Sequence, residues 1–438
     1  MKYFSLLLLF LLQYSLHAQN WTWETLEAMP EKVSNNSVAT AMVNGVPHVY
    51  SFGGIDTTKI YSGIHLKGFR YNTQTGVWSD TPPLPDDTNQ GGKIAAGAST
   101  VNNKVYIIGG YHVFASGNER SSEKVHVYEP QTNSFLPDAA PIPRSIDDHV
   151  QAIWRDSLIF VVTGWSNTTN YPDVQIYNPT LNKWTLGTFT PNSIQYKVFG
   201  ASGTIVGDTL YYTGGARTGS NFPLTNFLRK GYINPDDPTD ITWSNESADL
   251  SKGYRMASIS YNNNALWLGG SLVSYNYNGV AYNGSGGVPP TGRIVTYSPS
   301  TGELSENFNV ISPVMDLRGI AQIAPNQFII AGGMVENQEV TNQTLLITDT
   351  DFTDIKNPVI SSTFKLFPNP VSDFFNIEGI EANVFSIEVF DVKGQKLLSK
   401  EVGNSEKIAV KDDWKSGVYW VRIEVDGVFG FEKMVVVK

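Results

Sequence analysis

The stretch Lys104–Gly110, KVYIIGG, runs strand-forming residues straight into a glycine pair. A nucleotide-binding loop would continue with a third glycine at fixed spacing and a helix whose first N–H groups hold a phosphate. Here Tyr111, His112, Val113 and Phe114 follow instead. The pair recurs: SFGG ends at Gly54, IIGG at Gly110, VTGW at Trp165, YTGG at Gly215, WLGG at Gly270 and IAGG at Gly333. The first glycines, Gly53, Gly109, Gly164, Gly214, Gly269 and Gly332, are spaced by 56, 55, 50, 55 and 63 residues, a repeat architecture. By this count Trp165 replaces the second glycine of the third unit, and it is expected to project as a ligand platform.

Within each unit the landmarks keep one order. A hairpin precedes the glycines, its turn made of Asn, Asp or Gly, which tolerate positive φ, as in Asn44-Gly45, Asn102-Asn103 and Arg155-Asp156. A variable loop follows, then a strand ending in Tyr, a polar turn and an aromatic: Tyr71 and Trp78, Tyr128 and Phe135, Tyr177 and Trp184. The fourth unit widens this pair to Tyr232 and Trp243, and the fifth has Leu304 in the aromatic position. Each unit reads as four short antiparallel strands, and six such sheets pack radially because none buries both faces alone. The glycine pair, the spaced Tyr and Trp and the period resemble kelch repeats over residues 21–352. That resemblance implies an all-β, six-bladed propeller over residues 20–354. The sixth unit lacks its own outer strand, and WTWETLEAMP, Trp21–Pro30, is expected to supply it and close the ring.

The first 19 residues combine Lys2, an apolar run from Phe4 to Leu12 and a small residue at Ala18, which reads as a secretory signal too short to span a membrane. No later apolar run suggests an integral membrane segment. With no cysteine among 438 residues there is no disulfide framework and no thiolate chemistry, which also excludes copper radical oxidases built on a Cys–Tyr crosslink. Charged residues make up 16%, below the roughly 25% of ordinary globular chains. The net charge of −10 argues against a nucleic-acid partner, which needs a broad basic surface.

After a linker at residues 355–363 the pattern changes. Residues 364–438 read as a small β-sandwich with hairpins near Lys393-Gly394 and Asp426-Gly427. Pro368-Asn369-Pro370, the turn at Gly394, Gly417-Val418-Tyr419 and the lysine-flanked valine run at the end resemble the type A sorting domain of the type IX (Por) secretion system of Bacteroidetes. The resemblance implies the type IX machinery as a partner, export across the outer membrane, and a secreted or cell-surface protein.

Loops beyond the glycine pairs share one face of the propeller, where ligands commonly meet a rigid scaffold. The longest, Ser271–Gly292, is rich in Tyr, Asn and Gly and suits sugar stacking. Asn36, Lys93, His149, Lys197, Arg255 and Arg318 lie 14 to 17 residues before the first glycine of their units, and together with Trp165 they are the candidate ligand-binding residues. Converging on the axis they would favour an anionic group; paired with Asp147, Asp148 or Asp316 they would only order the channel mouth. No nucleophile elbow, zinc-protease motif or metal spacing among the six histidines occurs, so no metal and no cofactor is expected. The expected function is an exported propeller binding a glycan or protein ligand at the loop face. The alternative is a mutarotase-like or other sugar-acid enzyme using the basic rim.

Overall fold

A computed structural model describes residues 20–86, 91–308, 310–351, 364–380, 384–392, 395–403, 406–425 and 428–438. The leader, the 355–363 linker, Gly394 and the turn at Asp426-Gly427 lie outside these residues. The chain divides into two compact units, Met1–Phe352 and Thr353–Lys438.

Among the described residues of the first unit six antiparallel blades follow one another, five of them four-stranded, while in blade 2 the short strand Glu119–Ser121 also pairs with Lys104–Val113. Blade 1 is Ser37–Val43, Val46–Phe52, Gly68–Asn72 and Val77–Thr81; blade 2 is Ile94–Val101, Lys104–Val113, Val125–Glu129 and Ser134–Phe135. Blade 3 is Val150–Trp154, Leu158–Val162, Val174–Asn178 and Lys183–Leu186; blade 4 is Phe199–Val206, Thr209–Ala216, Phe227–Asn234 and Asp237–Ser247. Blade 5 is Ala257–Tyr261, Asn264–Leu268, Ile294–Ser298 and Glu303–Asn307. Blade 6 takes Ala321–Ala324, Gln327–Ala331 and Thr344–Asp349 from its own repeat and Trp21–Leu26 as its outer strand, in register from Trp21 opposite Asp349 to Leu26 opposite Thr344.

Alternating strands put apolar side chains on both sheet faces, so each pair of neighbouring blades shares an apolar cluster. In blades 1, 3 and 4 the outer-strand tryptophan ties its blade to the connection from the one before. Trp78 Nε1 donates to the Glu27 carbonyl at 3.0 Å, Trp184 Nε1 to Ala140 at 2.8 Å and Trp243 Nε1 to Thr188 at 2.9 Å.

Two details of the repeat differ from the spacing argument. Tyr71 faces Trp78 and Tyr177 faces Trp184 across their hairpins, but in blade 4 Trp243 faces Gly231, and Tyr232 points to solvent. The reason is packing: a Cβ on Gly231 would sit 2.5 Å from the Trp243 ring, so the indole covers the glycine. A one-residue shift then turns Tyr232 to the other face. In blade 3, Thr163 at φ 47° holds the first-glycine position and Gly164 the second, so Trp165 is the first residue beyond the pair. The Thr163 N–H bonds the Asp173 carbonyl just as those of Gly53, Gly109 and Gly269 bond Lys67, Lys124 and Arg293. Its hydroxyl accepts from the Val198 N–H at 3.0 Å and shares its one proton between the Tyr171 and Val198 carbonyls at 2.9 and 3.1 Å, linking to the segment that elsewhere is reached by the second glycine's N–H. Where glycine stands first, space demands it: a Cβ on Gly109, at φ +67°, would lie 2.2 Å from the Ile146 carbonyl oxygen.

The second unit packs Lys365–Phe367, Phe374–Glu378 and Ile408–Ala409 in one sheet and Lys396–Gly403, Val384–Phe390, Gly417–Val425 and Val428–Val436 in another. One core, including Phe375, Ile387, Val421 and Met434, lies between them.

Candidate functional site

Each innermost strand is entered through a residue in left-handed backbone geometry: Asn35, Ala95, Asp148, Gly200, Arg255 and Asp316, with φ of 55°, 58°, 46°, 66°, 48° and 63°. These kinks aim each N–H at the preceding blade. Asn35 N–H bonds Asp316 O, Ala95 bonds Asn35, Asp148 bonds Ala95, Gly200 bonds Asp148, Arg255 bonds Gly200 and Leu317 bonds Arg255, at 2.8 to 3.4 Å. A closed circle of backbone hydrogen bonds therefore surrounds the axis at the loop face.

Inside this circle Arg255 lies fully buried. Its Nε and Nη2 donate to the two oxygens of Asp148 at 3.0 and 2.6 Å, and Nη1 donates to Asp316 at 2.8 Å. Ser34 Oγ donates to the other Asp316 oxygen at 2.6 Å. Burial works against the charge, but the Asp148 and Asp316 carboxylates hold the guanidinium protonated well above its ordinary range. Blades 3, 5 and 6 are joined through one side chain. Tyr254 and Tyr275 sit beside it, 5.2 and 5.5 Å from ring centroid to guanidinium carbon.

The residues picked out by their distance from the glycines do not share a register. Only Arg255 occupies a kink. Asn36 and His149 lie one residue beyond theirs and Arg318 two beyond, whereas Lys93 and Lys197 precede theirs. Asn36 Nδ2 is spent on Ser51 Oγ and the Ala331 carbonyl at 2.8 and 3.1 Å. Lys93 turns its ammonium into blade 2, 2.9 Å from His126 Nε2, and His126 Nδ1 in turn meets Asp138 at 2.8 Å. Lys197 is half-buried in the link between blades 3 and 4. Trp165 packs edge-on to Phe199 and Phe222, with centroids 5.4 and 5.6 Å away. The structure brings together Arg255, Arg318 and His149, and pairs Arg255 with Asp148 and Asp316, two of the acids named as partners in the sequence. The loop lengths between kink and glycine vary by blade, which is why counting missed the register.

The long loop at 271–292 is a cap. Tyr275, Ala281 and Val288 are buried with Phe199, Tyr254, Met315 and Met334, and Tyr282 packs on Phe222. Of its tyrosines, Tyr275 faces inward, while Tyr277 and Tyr282 are half-buried. The axis is thus shut on the loop face.

Below the lock a channel of about 340 Å3 follows the axis between the innermost strands of all six blades. Exposure rises along these strands toward the hairpin turns, where Ser260 and Gln322 are solvent-exposed, so the channel opens on the turn face. His149 and Arg318 stand at its closed end. Arg318 donates to the His149 carbonyl at 3.0 Å, and its nearest approach to Asp148 is 3.5 Å. His149 Nε2 meets Gln151 Oε1 at 2.9 Å, and the Gln151 amide donates to Ser99 Oγ at 2.8 Å.

Burial, reinforced by Arg318, depresses the His149 pKa from 6.5 to about 3. The unfolded chain therefore takes up a proton below pH 6.5 that the folded one refuses until about pH 3. Stability from this residue is complete above 6.5 and falls as pH drops toward 3, by up to about 1.4 kcal/mol per pH unit. Asp147, pushed up by burial and by Asp148, contributes the opposite slope above its unfolded value of 3.8. Chemical denaturation of wild type and His149→Gln from pH 7 to 4 separates them: the stability difference should change progressively in favour of the variant, and a pH-independent difference would show that His149 is not held neutral.

The family comparisons meet this geometry. Residues 11–215 match the model of the KLHDC2/KLHL20/DRC7 Kelch-repeats domain, and residues 365–438 match the secretion system C-terminal sorting domain. The chain carries kelch repeats and a type IX sorting tail. It is 31% identical over 121 residues to Kelch-like protein 15 of Gallus gallus, covering 27% of this chain and 23% of that protein. It is 27% identical over 169 residues to Kelch-like protein terF of Aspergillus terreus, covering 37% and 34%, and 30% identical over 84 residues to the endo-acting ulvan lyase of Formosa agariphila, covering 19% and 16%. These matches span about a third or less of the relatives' own lengths. The solved structure of YjhT has the same fold, with TM-score 0.59 and 14% identity over 75% of this chain and 99% of that one.

The kelch-repeat protein is thus exported by the type IX system to the cell surface or beyond. Among the described residues no helix is long and apolar enough to cross a membrane. In the sorting tail, Asn369 clamps the last strand: its Nδ2 donates to the Lys433 carbonyl at 2.6 Å and its Oδ1 accepts from the Val435 N–H at 2.8 Å. Pro368 and Pro370 flank this clamp. Gly417 opens the strand Gly417–Val425, and the Tyr419 hydroxyl donates to the Lys415 carbonyl at 2.8 Å to hold the turn before it.

Proposed function

We propose that this exported kelch propeller is a binding protein that recognises a protein partner across its loop face. The observation carrying this reading is the concentration of exposed apolar side chains there: Ile60 and Tyr61 beyond the first glycine pair, Leu272 and Val280 on the cap, Phe189 and Ile194 between blades 3 and 4, and Phe308 before blade 6. Phe308 and Ile194 are 65% and 55% exposed. With the axis shut by the Arg255 lock, this face offers breadth rather than a deep pit, which suits a macromolecular surface. Beside Phe189 a groove of about 480 Å3, lined by Arg144, Tyr171 and Asp173, adds a polar edge, with the Arg144 guanidinium 4.0 Å over the Tyr171 ring. Arg over an aromatic ring and apolar anchors are the groups that dominate protein interfaces. The kelch resemblance supports the same role at the level of fold.

The test uses the mature protein as bait against proteins released from the producing cells' surface and medium, alongside a glycan array. A defined protein partner should bind wild type and lose at least tenfold in affinity with the paired change Phe189→Asp, Ile194→Asp or the paired change Leu272→Asp, Val280→Asp. Binding to an array glycan with no protein partner would replace the protein with a carbohydrate. A partner indifferent to both pairs would move recognition off this face.

A further inference from the structure

The axial channel lies on the far side of the lock from the loop face, and its lining calls for a ligand of its own. Among the described residues its walls contain no carboxylate and no lysine; the ionisable groups there are Arg318 and His149, both at the closed end. Arg318 is under-neutralised. Asp148 gives both its oxygens to Arg255 at 3.0 and 2.6 Å and stays 3.5 Å from Arg318, beyond ordinary hydrogen-bond reach. Among the described residues the buried Nε–H of Arg318 meets no acceptor, although its Nη2 is satisfied by the His149 carbonyl. A buried guanidinium N–H left unpaired costs free energy that an incoming oxyanion recovers.

The rest of the lining describes the body of the ligand. Thr40, Ser99, Thr100, Ser202, Thr204 and Ser258 place hydroxyls around the wall. Several donate their protons to neighbouring backbone, Ser202 to Met256 at 2.5 Å, Ser258 to Gly203 at 2.9 Å and Thr100 to Thr40 at 2.6 Å, and so present lone pairs inward as acceptors. Aliphatic side chains such as Val38, Ile205 and Leu317 fill the spaces between. Acceptors on the wall ask for donors on the ligand, and the cation at the end asks for one negative charge. About 340 Å3 lies within the range of small-molecule sites.

We infer that the channel binds a small hydroxylated monocarboxylate, of uronic-acid size, entering from the turn face with its carboxylate on Arg318. This goes beyond the loop-face reading and is independent of it, because the lock separates the two sites.

Saturation-transfer NMR and calorimetry with glucuronate test it, with glucose as the uncharged probe and hexanoate as the carboxylate lacking hydroxyls. Glucuronate should bind wild type, with glucose and hexanoate each at least tenfold weaker. Arg318→Gln should reduce glucuronate affinity at least tenfold. Because Arg318 also touches the lock, Ser260→Trp provides a second variant: it stands at the exposed mouth, away from the lock, and should block entry while leaving the unfolding transition in place. No saturation transfer to glucuronate at millimolar concentration, equal binding of all three probes, or binding unchanged by Ser260→Trp would each overturn the assignment.

Discussion

Arg255→Met will destabilise the propeller by about 3–5 kcal/mol, the cost of removing one partner from a buried ion network. The side chain is 1% exposed and satisfies Asp148 and Asp316, themselves 2% and 0% exposed. Methionine fills much of the volume but accepts no negative charge, so two carboxylates are left in an interior that burial already makes hostile to them. Asp316 shows the tendency: burial pushes its carboxyl above the ordinary value even with Arg255 present. Without Arg255 the folded pKa of Asp316 rises further above its unfolded value. Stability in the variant is then retained at low pH, where Asp316 is protonated, and lost as pH rises through its raised folded value. Urea unfolding at pH 5 and pH 8 should show the deficit growing with pH. Adding Asp148→Asn and Asp316→Asn to the variant should restore a large part of it, since removing a whole buried network costs less than orphaning half of one. An equal deficit at both pH values would mean that Arg255 acts by packing alone.

The second large effect is expected at the ring closure. Trp21, 8% exposed, opens the outer strand of blade 6 and packs 5.8 Å from Tyr261 and 6.2 Å from Phe328, measured between ring centroids. Trp21→Ala removes the indole from the cluster shared by blades 5 and 6, at about 3–5 kcal/mol. Among the described residues the buried Trp21 Nε1 has no hydrogen-bond partner, so Trp21→Phe gives up packing volume but no bond and should cost distinctly less. The loss should also reach quaternary behaviour. Trp21–Leu26 covers the edge of Thr344–Asp349 over six paired positions, and a strand that frays leaves an open edge able to pair with another chain. Thermal unfolding combined with size-exclusion chromatography should find Trp21→Ala less stable and prone to self-association, with Trp21→Phe close to wild type. Equal stability of all three would show that the closing strand is held elsewhere.

Much of this is legible in the sequence. The repeat announces itself because each blade uses the same local chemistry: Asn, Asp or Gly at hairpin turns, a glycine pair where a side chain would strike the neighbouring connection, and a Tyr–aromatic pair across the outer hairpin. The tail is legible from its motifs, although only Tyr419 acts locally, on Lys415, whereas Asn369 clamps Lys433 and Val435 more than sixty positions away. The breakdowns are equally instructive. Thr163 stands in a glycine position because its hydroxyl supplies the contact that a backbone N–H makes elsewhere. Gly231 displaced Tyr232 because the Trp243 ring required its missing Cβ. In both places a side chain replaced a backbone rule, which a spacing count does not register.

The sequence alone determined the number of blades, their order, the export tail and the presence of cations near the start of most inner strands. Only the tertiary structure decided what those cations do. Arg255 meets Asp148 across 107 positions of chain and Asp316 across 61, and that meeting exists only once the circle of blades has closed. A period in sequence measures distance along the chain, whereas charge pairing depends on distance through space. Ring closure turned a row of cations expected at the loop face into a lock on the axis, with Arg318 left facing the channel on the other side.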